Sequence, residues 1–301
     1  MKLSTNMGNI MCRYDFAESI DRMKAAGFEA MDYSLMDMVD DNCPYNQDDY
    51  RALAESERAI SDAKGIPVTQ THAPFTFSAA QWDDPVYYNE VLFPRMVRCL
   101  EISGILGAKV CVVHPIHHTT YRGHEEEIFE RNMAYYRSLI PYAEKYGVKI
   151  GVENMFQRDP LRKYIVADVC SSVSEFIRYI DTLNSPWITA CLDVGHVALP
   201  FSETTAADVI RALGHDRLGA LHIHDNDYTR DQHNLPYMGK LDWPEIAKAL
   251  GEIDYKGDFT YEVNGLFIFD RDEGFLPIGL KFMADVGHHI VDMVEAARPA
   301  K

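Results

Sequence analysis

Gly147-Val148-Lys149-Ile150-Gly151-Val152-Glu153-Asn154 compresses a helix stop, a strand and an acid into eight residues. A glycine directly before a β-branched run fits a helix C-terminus, where the residue after the last turn often needs a positive φ that a Cβ atom penalises. The same punctuation recurs at Gly27-Phe28, Gly65-Ile66 and Gly107-Ala108. Working outward from it, short apolar runs appear at Leu3 to Thr5, Phe28 to Ser34, Ile66 to His72, Ala108 to His114, Val148 to Glu153, Trp187 to Asp193, Leu218 to His224 and Phe259 to Val263. The segments between them carry helical spacing, as in Phe16, Ile20, Met23 and in Ile128, Met133, Tyr136, Ile140. Eight strands alternating with helices predict an α/β fold, a (β/α)8 TIM barrel with a parallel eight-stranded barrel inside and helices outside. An open doubly wound sheet is the alternative, but no GxGxxG follows the first strand and no P-loop occurs. No Pro/Gly/Ser-rich linker divides the chain, so residues 1–301 are read as a single domain.

Composition narrows the function. With 301 residues, 47% hydrophobic and 25% charged, the chain has ample material for a core. Its 29 Lys+Arg against 46 Asp+Glu give a net charge of -17, which repels polyanions, so no nucleic acid partner is expected. Six cysteines, Cys12, Cys43, Cys99, Cys111, Cys170 and Cys191, lie far apart without a CxxC pair, as expected of reduced thiols in a cytosol. No secretory h-region opens the sequence and no run approaches the roughly 18 apolar residues of a spanning helix. The expectation is a cytoplasmic enzyme acting on a small molecule, with no membrane partner and with homo-oligomerisation left open.

Chemistry in such a barrel sits at the C-terminal ends of the strands. Those positions hold His72 in Thr-His-Ala-Pro, His114 in Val-Val-His-Pro, Glu153 in Gly-Val-Glu-Asn, Asp193 in Cys-Leu-Asp-Val-Gly-His, His224 in His-Ile-His-Asp-Asn-Asp and Glu262 in Tyr-Glu-Val-Asn. Successive members are about one βα unit apart. Alternation along a strand turns Glu153 inward when Val152 packs outward, Asp193 inward when Leu192 does, and both His222 and His224 inward when Leu221 and Ile223 do. Ionised groups converging on one low-dielectric axis repel unless a cation compensates them. Glu153, Asp193, His224 and Glu262 form a mixed oxygen and nitrogen set that suits one divalent metal ion, Mn²⁺, Mg²⁺, Co²⁺ or Zn²⁺. Such an ion can bind adjacent oxygens of a hydroxy-carbonyl compound and stabilise an enediolate while two flanking carboxylates move the proton. His222 is divided between support of this site and core packing, and His117, His118, His124, His215, His288 and His289 read as solvated surface residues.

The constellation resembles the xylose isomerase-like TIM barrel superfamily, which holds sugar and sugar-phosphate isomerases and epimerases, inosose dehydratase-like proteins and an apurinic-site endonuclease branch. The resemblance spans almost the whole chain and rests on Gly151-Val152-Glu153-Asn154, Leu192-Asp193-Val194-Gly195-His196, His222-Ile223-His224-Asp225-Asn226-Asp227 and Tyr261-Glu262. It implies a metal-dependent sugar isomerase or epimerase, with Glu153, Asp193, His224 and Glu262 on the metal and Glu153 and Glu262 as the acid/base pair. It also implies substrate contacts by His196, three residues after Asp193, and by Arg230, six residues after His224, while His72, His114 and His233 line the mouth.

A competing implication comes from the same resemblance. His72, His114, His196 and the Asp231-Gln232-His233 stretch resemble the further zinc ligands of the endonuclease branch, which makes a multi-zinc phosphodiester hydrolase the alternative. A related lyase or dehydratase is a third outcome, because an enediolate beside a leaving group can expel it. Against a nucleic acid substrate, Arg158, Arg162 and Lys163 form the one visible basic group, and solvation of their loop is its better reading. Aromatic residues in the loops after the third strand (Phe75, Phe77, Trp82, Tyr87, Tyr88) and the eighth (Phe267, Phe269, Phe275) are read either as covers for a sugar ring or as loop packing.

Overall fold

Each apolar run becomes a parallel strand in a computed structural model of the chain, which describes residues 1–75, 79–263 and 268–299. The strands are β1 (Leu3–Asn6), β2 (Ala30–Ser34), β3 (Val68–His72), β4 (Val110–Val113), β5 (Lys149–Glu153), β6 (Ile188–Asp193), β7 (Leu218–His222) and β8 (Phe259–Tyr261). All pair in parallel in the order β8-β1-β2-β3-β4-β5-β6-β7. An Ile223 to Tyr261 bridge closes the cylinder between β7 and β8. This is the expected (β/α)8 barrel. Phe77 and Phe267 fall outside the described residues.

Outer helices follow the strands: α1 (Phe16–Ala26), α2 (Tyr50–Lys64), α3 (Phe93–Leu106), α4 (Glu125–Tyr146), α5 (Val173–Leu183), α6 (Ala206–Arg217), α7 (Trp243–Glu252) and α8 (Leu276–Ala296). The first four end on Gly27, Gly65, Gly107 and Gly147, each with φ between 69° and 112°, as the punctuation required. N-caps fix the opposite ends of several helices: Asp15 accepts from the Glu18 amide, and Thr205 forms a reciprocal capping box with Asp208.

Short loops at the bottom of the barrel leave the long insertions at the top. One is a hairpin after β5, in which Phe156–Arg158 pairs antiparallel with Ile165–Ala167. The sequence reading did not anticipate it. Another runs from Asp225 to Asp242 and is tied down by a single buried carboxylate. Asp225 accepts from the backbone amides of Asn226, Gly239, Lys240 and Leu241 and from the Trp243 indole at 2.8 Å. An antiparallel bridge between Asp225 and Asn234 pins the middle of the loop. Five donors on one buried acid satisfy its charge and give the loop a fixed path.

The six cysteines are all unbridged, and five of them are buried. No helix among the described residues is long and apolar enough to cross a membrane.

Candidate active site

Where β5, β6 and β7 end, Glu153, Asp193 and His222 come together with Glu262, the first residue after β8. One ligand atom from each of these four lies within 4.8 Å of the others. His222 Nδ1 stands 2.9 Å from Glu153 Oε1 and 3.4 Å from Glu262 Oε2. Glu153, Asp193 and His222 are buried, and Glu262 is the most open, with a quarter of its side chain exposed.

The geometry divides the ligand set read from the sequence. His224 is not grouped with Glu153 and Glu262; it stands beside Asp193, with Nε2 at 3.0 Å from Oδ1, and joins a second group with His196, Asp231 and His233. His222 takes the place expected of His224. The reason is that β7 ends at His222, and Ile223 already bridges across to β8, so the two inward histidines sit at different depths. A third group, His72, His114 and Glu153, shares Glu153 with the first. His114 Nε2 is 2.9 Å and His72 Nε2 3.7 Å from Glu153 Oε2.

Local structure explains these placements. Asn154 holds Asp193 through two bonds, donating from Nδ2 to the Asp193 carbonyl at 3.0 Å and accepting the Asp193 amide on Oδ1 at 2.8 Å. Asp193 in turn caps the short helix Val194–Val197 by accepting the His196 amide at 2.8 Å. That helix carries His196, whose Nδ1 donates to the Asn154 carbonyl. Gly195 is obligatory beneath His224, since a Cβ there falls 1.9 Å from the imidazole. His233 is set by its Nδ1, which donates to the Glu262 carbonyl at 2.7 Å, and by Asp231 Oδ2, 2.9 Å from its Nε2.

Electrostatics follows from this crowding. Burial opposes the Glu153 charge, yet His222 and His114 hold its carboxyl well below the usual range, and burial of His222 is outweighed by Glu262 and Glu153, which raise its pKa. Burial likewise opposes the charge on His196, but Asp193 and Asp231 push its pKa up to about 10. His233 is pushed up to about 9 against burial by Asp231. His114 goes the other way, to about 4, because burial dominates. Several buried polar atoms of these residues lack an aligned hydrogen-bond partner among the described residues, including Glu153 Oε2, His114 Nδ1, His224 Nδ1 and Asp231 Oδ1. Convergent carboxylates and imidazoles with orphaned acceptors fit a divalent cation better than they fit one another.

A cavity of about 550 Å³ opens above the groups. Glu153, Glu262, His114, His196, Asp231 and His233 form its floor, and Phe75, Met155, Phe156, Arg158 and Pro160 contribute to its wall. Phe75 stacks on His114 with ring centroids 4.1 Å apart, whereas Trp82 packs against Tyr135 of α4. Within the aromatic loop after β3, Phe75 thus lines the cavity and Trp82 packs onto the barrel. His117 and His118 also border the cavity, and His117 pairs with buried Asp168, so neither is the plain surface residue expected. Arg230 is exposed on the Asp225 to Asp242 loop and is not part of the cavity wall. Sequence reasoning missed Asn154 as a clamp, the His117 and Asp168 pair, and Asp225 as an anchor.

The order of strands and helices is that of one family of barrels. Residues 20–276 match the xylose isomerase-like TIM barrel, and the chain belongs to that family. It is 28% identical over 198 residues to an uncharacterized protein of Methanocaldococcus jannaschii, covering 64% of this chain and 62% of the relative. It is 26% identical over 254 residues to a D-psicose 3-epimerase of Enterocloster bolteae, covering 82% and 76%. The chain spans 62% and 50% of the lengths of two curated relatives, the second from Sinorhizobium fredii. Among solved structures, a D-psicose 3-epimerase with D-tagatose from Clostridium cellulolyticum superposes with a TM-score of 0.71 at 18% identity, over 97% of this chain and 99% of that one. At that identity the likeness speaks for the fold.

Proposed function

We propose that the chain is a divalent-metal-dependent isomerase or epimerase of a sugar or related polyhydroxy carbonyl compound. The observation that carries this reading is the convergence of Glu153, Asp193, His222 and Glu262 beneath the cavity, with two carboxylates facing the space a substrate carbon would occupy. The epimerases among the relatives support the same class. Glu153, Asp193, His222 and Glu262 would hold the cation. A bound cation of this kind supplies Lewis-acid polarisation of a carbonyl oxygen, which acidifies the neighbouring C–H.

This chain's own residues do the rest. Glu262 opens to the cavity and is the better placed to take a proton from carbon; Glu153, beside the same His222 Nδ1, returns one. His196, on the floor with Nδ1 already bonded to the Asn154 carbonyl, offers its Nε2–H to a substrate oxygen. Phe75, Met155 and Phe156 exclude water from one side.

The test is a proton-exchange assay. Metal-free protein reloaded with Mn²⁺ is incubated in D2O with ketoses, ketose phosphates and keto-glycosides. Deuterium is expected at the carbon beside the carbonyl, and Glu262→Gln is expected to abolish its entry with the fold intact. A metal-loaded wild type that exchanges no substrate in the panel, or a Glu262→Gln variant that turns over normally, overturns the reading.

A second reading, phosphodiester hydrolysis by a multi-zinc centre, is favoured by one observation: the His72, His114, Glu153 and His196, His224, Asp231, His233 groups flank the first. Three zinc ions per chain with phosphodiesterase activity would promote it, and a single ion per chain would remove it. The net charge of -17 weighs against a DNA substrate.

A further inference from the structure

Asp32 sits where elementary physics disfavours a carboxylate. It lies in the middle of β2, between Met31 and Tyr33, and Tyr33 faces outward to meet Phe16 of α1. Asp32 therefore points into the barrel, where it is fully buried. Neither of its oxygens has an aligned hydrogen-bond partner among the described residues, the Gln70 side chain being the neighbouring neutral donor. Its one ion-pair neighbour among them is His222, whose Nε2 is 4.0 Å from Oδ2. That Nε2 is itself buried and unpartnered.

The two orphans face each other, which gives His222 two distinct edges. Nδ1 looks up at Glu153 and Glu262, and Nε2 looks down at Asp32. The ring is confined laterally by His72, stacked on it with centroids 5.4 Å apart and planes 15° apart. A shift of about 1 Å brings Nε2 and Oδ2 to hydrogen-bond distance. An imidazole ligand works with its coordinating nitrogen unprotonated, and an acceptor on the far nitrogen both selects that tautomer and fixes the ring plane. A structural ion pair offers no comparable account, because it would satisfy Asp32 with a lysine, an arginine or backbone amides, as Asp225 is satisfied.

We propose that Asp32 is a positioning residue for the metal centre: its carboxylate accepts the Nε2–H of His222 and so turns Nδ1 toward Glu153, Asp193 and Glu262. The inference rests on the metal reading above and adds a residue to it that touches neither cation nor substrate. It also explains why a buried acid without an aligned hydrogen bond persists in a strand otherwise fit for an apolar residue: its stabilising role is exercised when the centre is loaded.

The experiment uses the full chain stripped with a chelator and titrated with Zn²⁺ alone against a chromophoric chelator, together with thermal melting of the metal-free protein. Asp32→Leu, close in size, is expected to weaken Zn²⁺ binding at the tightest site by roughly 10–100-fold. Asp32→Asn, which keeps an acceptor but not the charge, is expected to weaken it less. The metal-free melting temperature should hold or rise in both, because an unsatisfied buried acid has been removed. Unchanged Zn²⁺ affinity in both variants overturns the proposal, as does a fall in metal-free melting temperature without loss of affinity. If Asp32→Leu fails to fold, Asp32→Asn decides. A wild type that holds no Zn²⁺ overturns this inference together with the metal reading. A Zn²⁺-binding wild type with unaffected variants overturns the role of Asp32 alone. Loss of affinity as expected, in a protein that exchanges no substrate proton, supports the role of Asp32 and overturns only the proposed reaction.

Discussion

Asn154 grips the backbone of Asp193 at both its amide and its carbonyl, extending the β5 to β6 ladder by a side chain in place of a strand. The grip sets the position of one acid and the direction of the short helix that bears His196. Asn154→Ala leaves a buried amide and carbonyl unpaired, which costs about 1–3 kcal/mol each when no water replaces the partner. The expected outcome is a folded protein with a lower melting temperature and at least a tenfold loss of substrate proton exchange. Calorimetry and the deuterium assay read the two effects separately.

Stability of the metal-free protein should peak in mildly acidic to neutral solution. His196 and His233, pushed up to about 10 and about 9 from 6.5, add stability that is complete below pH 6.5 and is lost as pH rises through those values. His114, pushed down to about 4, works in the opposite direction: between pH 6.5 and 4 the unfolded chain takes up the proton more readily, so stability falls as pH falls. Melting temperatures measured from pH 4 to pH 10 in chelator should trace a maximum near pH 6.5. A flat profile above pH 7 would show that the two imidazoles are not held charged.

Gly195→Ala tests the close approach of the helix Val194–Val197 to His224. A methyl group 1.9 Å from the ring must displace the imidazole or the helix, with an expected cost of about 1–3 kcal/mol, and must disturb the His196, His224, Asp231, His233 group. Urea unfolding measures the first and metal content per chain the second.

Asp225→Asn removes the charge that gathers five donors and keeps the shape. Charge-assisted bonds are worth about 1.5–3 kcal/mol each against roughly 1 for neutral ones, so a loss of several kcal/mol is expected. Proteolysis should begin between residues 226 and 242 in the variant, and the first cut located by mass spectrometry checks it.

Much of the barrel was legible because its signals are local. Glycine stops, β-branched runs and acids at strand ends state period and direction within a few residues, and Glu153, Asp193 and Glu262 arrive where alternation sends them. The choice between His222 and His224 was not legible, since both obey the same alternation and only the depth at which β7 ends separates them. The six-residue spacing that singled out Arg230 was counted from His224 and led to an exposed loop position. Asp32 carries no local signal that separates it from other acids, because only the closed barrel brings it beneath His222. The hairpin after β5 escaped notice because its two strands are three residues each and its turn is charged.

Glu153 belongs to two donor groups at once, one oxygen turned to His114 and the other to His222. The neighbouring groups are thus wired through a shared arm rather than standing as independent compartments. A cation held by either group would draw on the same carboxylate, so occupation of one would weaken the hold of the other.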